Sequence, residues 1–414
     1  MNDRPVYLIV SDRMERSRVT VFFRLLLAIP HLIWLGLWGL AALVVVVINW
    51  FATLFAGISP EGLHNFLAAY VRYAIHVGAY VLLAADPFPE FTGKPGYPVD
   101  VEIAPPQPQN RWKVGFRIVL AIPALMIAGA LTSGSARTYG VNYSYGLASV
   151  AALLGWFAAL AQARLPRGLR DAIAYALSYS AQLDAYLFLL TDRYPNSDPQ
   201  TALVELPSRV DDPIRLEVSD DLARSRVTVF FRLLLAIPHL IWLTLWGILV
   251  LLAAIANWFA TLASGVSPDS LHRFLAAYVR YQNHVYAYVF LIADPFPGFT
   301  GQVGSYPVEP VIEGPRQQNR WKVGFRVVLI VPAVLLDSAY GGLLVVVALL
   351  GWFASLANGR MPLGLRNAGA LGLRYAAQTH GYLLLLTDSY PYSGPTERTP
   401  SAPAPSLPIS EPLQ

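Results

Sequence analysis

Long apolar runs alternate with short polar segments along the chain, and this alternation recurs four times. The first run covers residues 19–56, which is longer than the roughly twenty residues that one membrane span needs. Before each run a short segment follows a proline. In residues 99–103 and 214–218 of these segments, apolar and polar side chains alternate as in a half-buried strand. The pattern therefore predicts four units, each with a short strand followed by apolar helices.

Repeated residues support this division. The segment from Arg16 to Leu35 reappears unchanged from Arg224 to Leu243, and each half divides again at a Phe-Arg pair, a proline and a later Trp-Phe pair. Every unit closes with Asp, any residue, an aromatic residue and Pro. The predicted domains are repeat 1 (residues 1–98), repeat 2 (99–195), a linker (196–212), repeat 3 (213–306), repeat 4 (307–391) and a disordered, proline-rich tail (392–414).

The diverged units indicate where each apolar run divides. Residues 132–145 of the second unit and 337–342 of the fourth are polar, and unpaired backbone groups are not tolerated on a lipid-facing helix. An element boundary is therefore expected near Gly36 to Gly39. The piece before it, which contains Arg24 and Pro30, is predicted to be an amphipathic helix lying in the membrane interface.

The predicted fold class is an all-α integral membrane protein with a small β element. Four repeats of strand, interfacial helix and transmembrane helical hairpin give about eight spans. Ser59, followed by Pro60 and Glu61, is expected to cap the returning helix of the first hairpin. Because a lone short strand is unstable, the four strands are expected to pair into one small sheet at the membrane surface. The alternative counts the leading helix as a third span in each unit.

Composition and charge favour a membrane protein. Hydrophobic residues make up 55% of the chain and charged residues only 14%, against about a quarter in soluble domains. A net charge of +4 is too small to indicate a nucleic-acid binder, and the absence of cysteine excludes disulfides and thiolate metal sites. Most basic residues fall on the strand side of the predicted spans. The positive-inside rule then predicts a multi-pass protein of the plasma membrane with both termini in the cytoplasm.

Polar residues inside predicted spans are the first functional candidates, because charges in a membrane are costly. In the returning helix of three units, an arginine, a histidine or glutamine, and a tyrosine recur at intervals of four, on one helix face. These are Arg72, His76, Tyr80, Arg280, His284, Tyr288, Arg374, Gln378 and Tyr382. They form either a polar seam that lines a pathway or holds a lipid headgroup, or a set of structural hydrogen bonds between helices.

The aspartate that closes each unit is a second candidate. It follows a helix C-terminus, where the helix dipole disfavours negative charge, so a compensating cation is expected. The arginine of the Phe-Arg pair lies at the same level if the hairpin folds back. The expected ion pairs are Arg24 with Asp86, Arg117 with Asp192, Arg232 with Asp294, and Arg326 with Asp388. The alternative role for these aspartates is an Asx-turn at the helix exit.

No catalytic or metal-binding motif is found. The histidines do not form a two-histidine box with a nearby carboxylate, and no phosphate-binding glycine loop or nucleophile elbow occurs. The expectation is a protein that is not an enzyme and has no cofactor or metal. The motif from Arg16 to His31, its copy from Arg224 to His239, the later Trp-Phe pair and the closing Asp-x-aromatic-Pro resemble a bacterial membrane family, domain of unknown function 4389. The resemblance implies a helical membrane protein and assigns no activity.

The leading hypothesis is a non-catalytic scaffold or lipid-interacting protein. Its expected partners are membrane lipids, and a protein partner could bind at the cytoplasmic sheet. The alternative is a transporter or channel with a pathway between pseudosymmetric repeats. The orientation of the mid-helix arginines distinguishes the two, because a pathway requires them to line a wet cavity.

Overall fold

The computed structural model describes residues 4–132, 146–209 and 211–397 of the 414-residue chain. Its first half contains β1 (Val6–Val10), α1 (Arg18–Ala56), α2 (Glu61–Val81), β2 (Val99–Ile103), α3 (Arg111–Gly115), α4 (Arg117–Thr132), α5 (Leu147–Gln162) and α6 (Arg167–Leu187). After a short 3-10 turn at Pro199–Thr201, its second half contains β3 (Ile214–Val218), α7 (Arg226–Ser264), α8 (Asp269–Val289), β4 (Val308–Ile312), α9 (Arg320–Gly324), α10 (Arg326–Leu329), α11 (Val331–Asn358) and α12 (Leu363–Leu383). We call α1, α4, α5, α7, α10 and α11 the outer helices, and α2, α6, α8 and α12 the inner helices.

The first outer helix is continuous, so the boundary expected near Gly36 to Gly39 is wrong. Helix α1 runs for 39 residues through Pro30, whose ring costs one backbone hydrogen bond without ending the helix. Its copy α7 has the same length. The polar residues 337–342 of the fourth unit also lie inside a helix, α11. The corresponding insertion of the second unit, residues 132–145, begins at the last residue of α4, and residues 133–145 lie outside the described residues.

One stripe of buried side chains runs along α1 and explains why the helix continues without a break. Val21, Arg24, Ala28 and His31 are buried at intervals of three and four, and Asn49 continues the stripe near the other end. Intervals of this kind keep one face turned toward the protein over the whole helix. The predicted interfacial piece and the predicted span are therefore one element with one packed face.

The strands form two separate sheets. β1 pairs with β2 and β3 pairs with β4, both antiparallel, with Leu8 opposite Val101 and Leu216 opposite Pro310. The expected single sheet of four strands is therefore wrong. Each sheet joins the strand of one unit to that of the next, so the sheets tie the units together in pairs.

The two units of a pair run in opposite directions. The N–H of Arg16 at the start of the first unit donates to the carbonyl of Ala163 at the helical turn of the second, over 2.9 Å. Reciprocally, the N–H of Gln109 donates to the carbonyl of Gly57 over 2.8 Å. The predicted arrangement, with all turns on one side and all strand segments on the other, is contradicted by these contacts. Strand segments and helical turns therefore lie at both ends of a pair of units. The higher number of Lys and Arg residues in the strand segments then does not distinguish one side of the membrane from the other.

Each half is built in three layers. α1 packs on α2 and α5, and α4 and α5 pack on α6. On their other side α2 contacts β2 and α6 contacts β1. The inner helices are therefore enclosed between the outer helices and the sheet, as α8 and α12 are in the second half.

The part of the chain that the structure describes is mostly helical, and three of its helices are long and apolar enough to cross a membrane. They are Arg18–Ala56, Arg226–Ser264 and Arg326–Asn358. None of the inner helices is among them, so the eight predicted spans are not confirmed. Ser59 also differs from its expected role as a cap, because its hydroxyl donates to Oδ1 of Asn49 in α1, over 2.7 Å, and Pro60 occupies the N-cap position of α2.

The halves are joined by segments predicted as linker and tail. The hydroxyl of Tyr392 donates to Oδ2 of Asp171 in α6, over 2.5 Å, and Ser393 is buried near Gly168. Reciprocally, the linker residue Ser197 lies against Gly364 of α12. The prediction of a disordered tail is therefore wrong for residues 392–397, which pack between the halves, and residues 398–414 lie outside the described residues.

Candidate functional site: buried arginines and an exposed apolar face

Arg24 binds the end of the neighbouring inner helix. Its side chain is only 2% exposed, and Nη1 donates to the carbonyls of Tyr80 (2.8 Å) and Ala85 (2.7 Å). Nη2 donates to Oδ1 of Asp86 over 2.5 Å, and the guanidinium carbon lies 4.5 Å from the centre of the Tyr80 ring. The arginine thus pairs the aspartate and also binds two carbonyl groups at the end of α2, of which that of Tyr80 accepts in addition from the N–H of Leu83.

All four predicted pairs are brought together in this way. The separations are 3.5 Å for Arg117–Asp192 and 3.3 Å for Arg326–Asp388, and Arg232 is hydrogen-bonded to Asp294. In each unit the guanidinium also lies over a tyrosine of the inner helix: Tyr80, Tyr186, Tyr288 and Tyr382. Three of these tyrosines were predicted in the polar seam, and the structure places them beside the ion pairs instead.

Arg72 and His76 converge on a carboxylate of strand β2. Nε2 of His76 lies 2.9 Å from Oδ1 of Asp100, and Nε of Arg72 lies 3.5 Å from the same oxygen. Arg72 also donates to the carbonyl of Val101 over 3.0 Å. The two side chains therefore attach α2 to the sheet.

The third unit repeats this arrangement with a glutamate. Nε of Arg280 lies 2.8 Å from Oε1 of Glu309 in β4, and Nε2 of His284 lies 2.9 Å from Oε2. One carboxylate is thus shared between an arginine and a histidine in both halves. The chemistry of the contact is conserved between copies although the acid differs in length.

In the fourth unit the equivalent residues bind the segment after α12. Arg374 donates to the carbonyls of Tyr392 (3.1 Å) and Gly394 (2.5 Å) and is hydrogen-bonded to Thr396. Gln378 donates to the carbonyl of Ile214 over 3.0 Å. The arginines predicted to form one seam therefore bind separate groups, and Arg280 and Arg374 line two different surface pockets.

The surroundings of Asp100 favour the ionised form of its carboxyl group over the protonated form. Burial alone would raise the pKa of this carboxyl group. Hydrogen bonds from His76 and from the N–H groups of Gly96 and Val101 outweigh burial and hold the pKa below its ordinary value of 3.8. The group is therefore a charged attachment point for the helix, and its charge is stabilised by three donors.

Asp100 and Glu309 were not among the predicted site residues, and neither was Asn49. Nδ2 of Asn49 donates to the carbonyl of Phe188 over 3.0 Å, which joins α1 to the end of α6 in the paired unit, and Asn257 donates to Leu384 in the same way. An asparagine at the same place in two otherwise apolar helices was the available signal. The partners of Arg72 and Arg280 could not be found without the pairing of the strands.

The outer helices expose an almost continuous apolar surface. In α1, eighteen large hydrophobic side chains are exposed, from Val19 to Phe55. The charged or titratable side chains between these two residues, Arg24 and His31, are both buried. At the start of the next unit Trp112 is 78% exposed beside Arg111, as Trp321 is beside Arg320 in the second half. A surface of this size and composition is typical of contact with lipid, and tryptophan with arginine is typical of its edge.

Side chains of the metal-ligating types are dispersed within residues 4–132, 146–209 and 211–397. No group of three or more His, Cys, Asp or Glu side chains there is arranged to hold a metal ion. The ionisable groups described above form ion pairs and hydrogen bonds between elements.

Comparison with protein families identifies the repeat. The profile of a family described as domain of unknown function (DUF4389) matches residues 18–92, 226–300 and 320–393, which together exceed half of the chain. The matched ranges fall in the first, third and fourth units. Comparisons with curated proteins and with solved structures gave no match. Since the profile covers α1 with α2, α7 with α8, and α9 to α12 in turn, the chain is a repeat-containing member of the DUF4389 family.

Proposed function

We propose that this protein is a non-catalytic membrane protein that interacts with lipids through the exposed apolar face of its outer helices. The observation that carries the proposal is the orientation of side chains in α1 and α7. After the exposed arginine at its first position, each helix turns its second arginine, its histidine and its asparagine inward, and most of its leucine, isoleucine and phenylalanine side chains outward. In water, exposure of so many apolar side chains is unfavourable. In hydrocarbon, the apolar face contacts lipid while the polar side chains remain paired inside the protein.

The edges of this face favour contact with lipid headgroups. Arg111 and Trp112 lie at the start of α3, and Arg320 and Trp321 lie at the equivalent place in α9. The indole rings prefer the membrane interface, and basic side chains near the surface attract anionic lipid by about 1 kcal/mol each. We therefore propose tighter association with anionic than with zwitterionic bilayers, in the cell membrane.

The buried polar groups support a structural role. Arg24, Arg72 and Arg280 each hydrogen-bond to a carboxylate or carbonyl within their own half of the molecule. Side chains committed in this way are not oriented toward a reacting group or a shared pathway. A transport pathway between the repeats has no comparable support. We place any protein partner on the side of the two sheets, opposite the apolar face.

Vesicle flotation tests this proposal. Protein purified in detergent is mixed with vesicles of phosphatidylcholine, with or without phosphatidylglycerol, and the detergent is removed. We expect the protein to float with both kinds of vesicle and to aggregate without lipid. It should remain bound to the anionic vesicles up to a higher salt concentration than to the zwitterionic ones. A monodisperse soluble particle without detergent would contradict the proposal. Indifference to lipid charge would contradict the proposed headgroup contacts.

A matched pair of variants isolates the apolar face. Leu26→Asp and Leu234→Asp together place two carboxylates on exposed positions of α1 and α7. Asn65→Asp and Gln302→Glu add the same charge at exposed positions away from that face. An aspartate at membrane depth costs about 2.5–3.5 kcal/mol, so the first variant should lose most of its flotation and the second should keep it. Equal flotation of both variants would show that the face does not enter lipid.

A further inference from the structure

We infer that the outer helices lie within one leaflet, along the plane of the membrane, so that the molecule is embedded from one side and does not cross the bilayer. This inference rests on the proposed function, because it specifies how the apolar face meets lipid. It also commits to one partner for that face, the acyl chains of a single leaflet.

Helix length is the first observation. From Val19 to Phe55 the exposed apolar stretch of α1 measures about 54 Å at 1.5 Å per residue. The hydrocarbon core of a bilayer is about 30 Å thick, so this stretch fits inside it only at a tilt of about 56° or more. Spanning helices tilt by about 20° on average and by up to about 40°. The helix therefore lies closer to the membrane plane than to its normal.

The direction of the neighbouring elements is the second observation. Along α1, His31 contacts Tyr73 and Gly39 approaches Tyr70, so α2 runs antiparallel beside α1. Along α2, His64 contacts the carbonyl of Ala104 over 3.0 Å and His76 contacts Asp100, so β2 runs antiparallel beside α2. The axes of α1, α2 and β2 are therefore aligned, with successive elements antiparallel.

If α1 crossed the membrane, the sheet would stand beside it at the depth of the hydrocarbon. A two-stranded sheet has two open edges, and Glu102 on β2 is exposed. Open edges and irregular backbone do not occur in contact with lipid, because their polar groups would be unpaired. In the in-plane arrangement, the layer of inner helices separates the sheet from the outer helices, with roughly 10 Å between adjacent layers, and the sheet lies in water.

The loop after α2 leads to the same conclusion. Nε1 of Trp34, near the middle of α1, donates to the carbonyl of Phe91 in this loop over 3.0 Å. Lys94, three residues further on, is exposed. A crossing helix would place this irregular segment and its lysine near the centre of the bilayer, whereas a helix in the membrane plane leaves both above it.

The outer helices α1, α5, α11 and α7 lie side by side in a row. The two in the middle, α5 and α11, each expose one narrow stripe of large apolar side chains. α5 lies between α1 and α11, and α11 lies between α5 and α7. On α5 the large exposed hydrophobic residues are Leu153 and Phe157, and the second half of α11 exposes Val345, Leu349 and Phe353. Intervals of four place each set on one face of its helix. A row of helices that exposes a single face has one surface for lipid, which is the geometry of embedding from one side.

Cysteine labelling of the full chain in membranes tests this inference, and the absence of native cysteine leaves no background. Single variants Arg13→Cys, Lys94→Cys and Glu61→Cys place an exposed thiol before α1, beside its middle and after its end. Asp221→Cys and Asp269→Cys repeat the two outer positions in the second half. Each variant is treated with a membrane-impermeant maleimide in right-side-out and in inside-out vesicles.

We expect all five thiols to be labelled in the same preparation and protected in the other. Leu26→Cys, on the apolar face, should be protected in both and should react after denaturation. Labelling of positions 13 and 61 in opposite preparations, with position 94 protected in both, would overturn the in-plane arrangement while leaving the proposed lipid contact intact. A protein absent from the membrane fraction would instead overturn the proposed function.

Discussion

The guanidinium of Arg24 and the carboxylate of Asp86, 62 positions apart in sequence, meet at 2.5 Å with the arginine side chain 2% exposed and the aspartate 30% exposed. The pair joins the first turns of α1 to the segment that follows α2. The same arginine also donates to two carbonyls; its removal would leave Asp86 and the carbonyl of Ala85 without this donor, whereas the carbonyl of Tyr80 keeps the N–H of Leu83. Equivalent pairs join α4, α7 and α10 to the segments that follow α6, α8 and α12.

Arg24→Met should destabilise the protein strongly. Removing one partner of a fully buried ion pair typically costs about 3–5 kcal/mol. Here the buried carbonyl of Ala85 loses its donor but Asp86 is 30% exposed and can be hydrated, so we expect a cost of about 3 kcal/mol, at the lower end of that range. The free energy of unfolding, measured by denaturant titration in detergent, should fall by that order, whereas Arg13→Met at an exposed position should change it by less than about 0.5 kcal/mol. The double variant Arg24→Met/Asp86→Asn should cost less than the sum of the single variants. Strict additivity would show that the two side chains are not coupled.

The charge of Asp100 should make stability depend on pH in the acid range. Its folded-state pKa is lowered below the ordinary value of 3.8, so the unfolded chain binds a proton at higher pH than the folded chain does. The contribution to stability is therefore complete above the ordinary value and is lost as the pH falls through the folded value. Asp100→Asn should be less stable than the wild type at neutral pH, and the difference should shrink below about pH 4.

A neighbouring acid provides the control for this effect. Glu102 lies two residues further along β2 and is exposed, so Glu102→Gln should keep the acid dependence of the wild type. The measurement is the midpoint of denaturant unfolding at a series of pH values. Parallel curves for the wild type and Asp100→Asn would show that the carboxylate does not stabilise the fold by its charge.

Glycine is required at position 93 for two reasons that can be separated. Gly93 has φ +63°, and a Cβ there would lie 2.4 Å from the carbonyl oxygen of Ala69 in α2. Gly304 has φ +70° but open space around it. Gly304→Ala should cost only the backbone strain of about 1–2 kcal/mol, and Gly93→Ala should cost clearly more, because the loop must move off the helix. Equal losses of unfolding free energy would mean that the loop is not closely packed.

The features that depend on local or repeated residues could be predicted from the sequence. The offset between Arg16 and Arg224 defines the duplication, and the position of Asp86 after a helix end indicates a cation partner for it. The apolar composition of α1 indicates contact with lipid. Each of these inferences requires only one segment or the comparison of two copies.

The features that depend on the direction of whole units could not be predicted. A long apolar run has the same composition whether it is broken at Gly36 or continues, and whether it lies along the membrane or across it. The partner of Arg72 is a strand residue, Asp100, and finding it requires knowing that β2 runs antiparallel along α2. The single expected sheet was wrong because antiparallel units leave each strand near only one other strand.

Paired units complete each other's contacts, and this limits how few units a chain could have and still form all of these contacts within itself. β1 has its hydrogen-bonding partner in the following unit, and the turn near Gly57 has its partner there as well. A chain with a single unit would close neither contact within itself and could satisfy both only by associating with an identical molecule. The present gene therefore has the organisation expected of a symmetric homodimer whose subunits were fused, and then of that fused pair doubled once more.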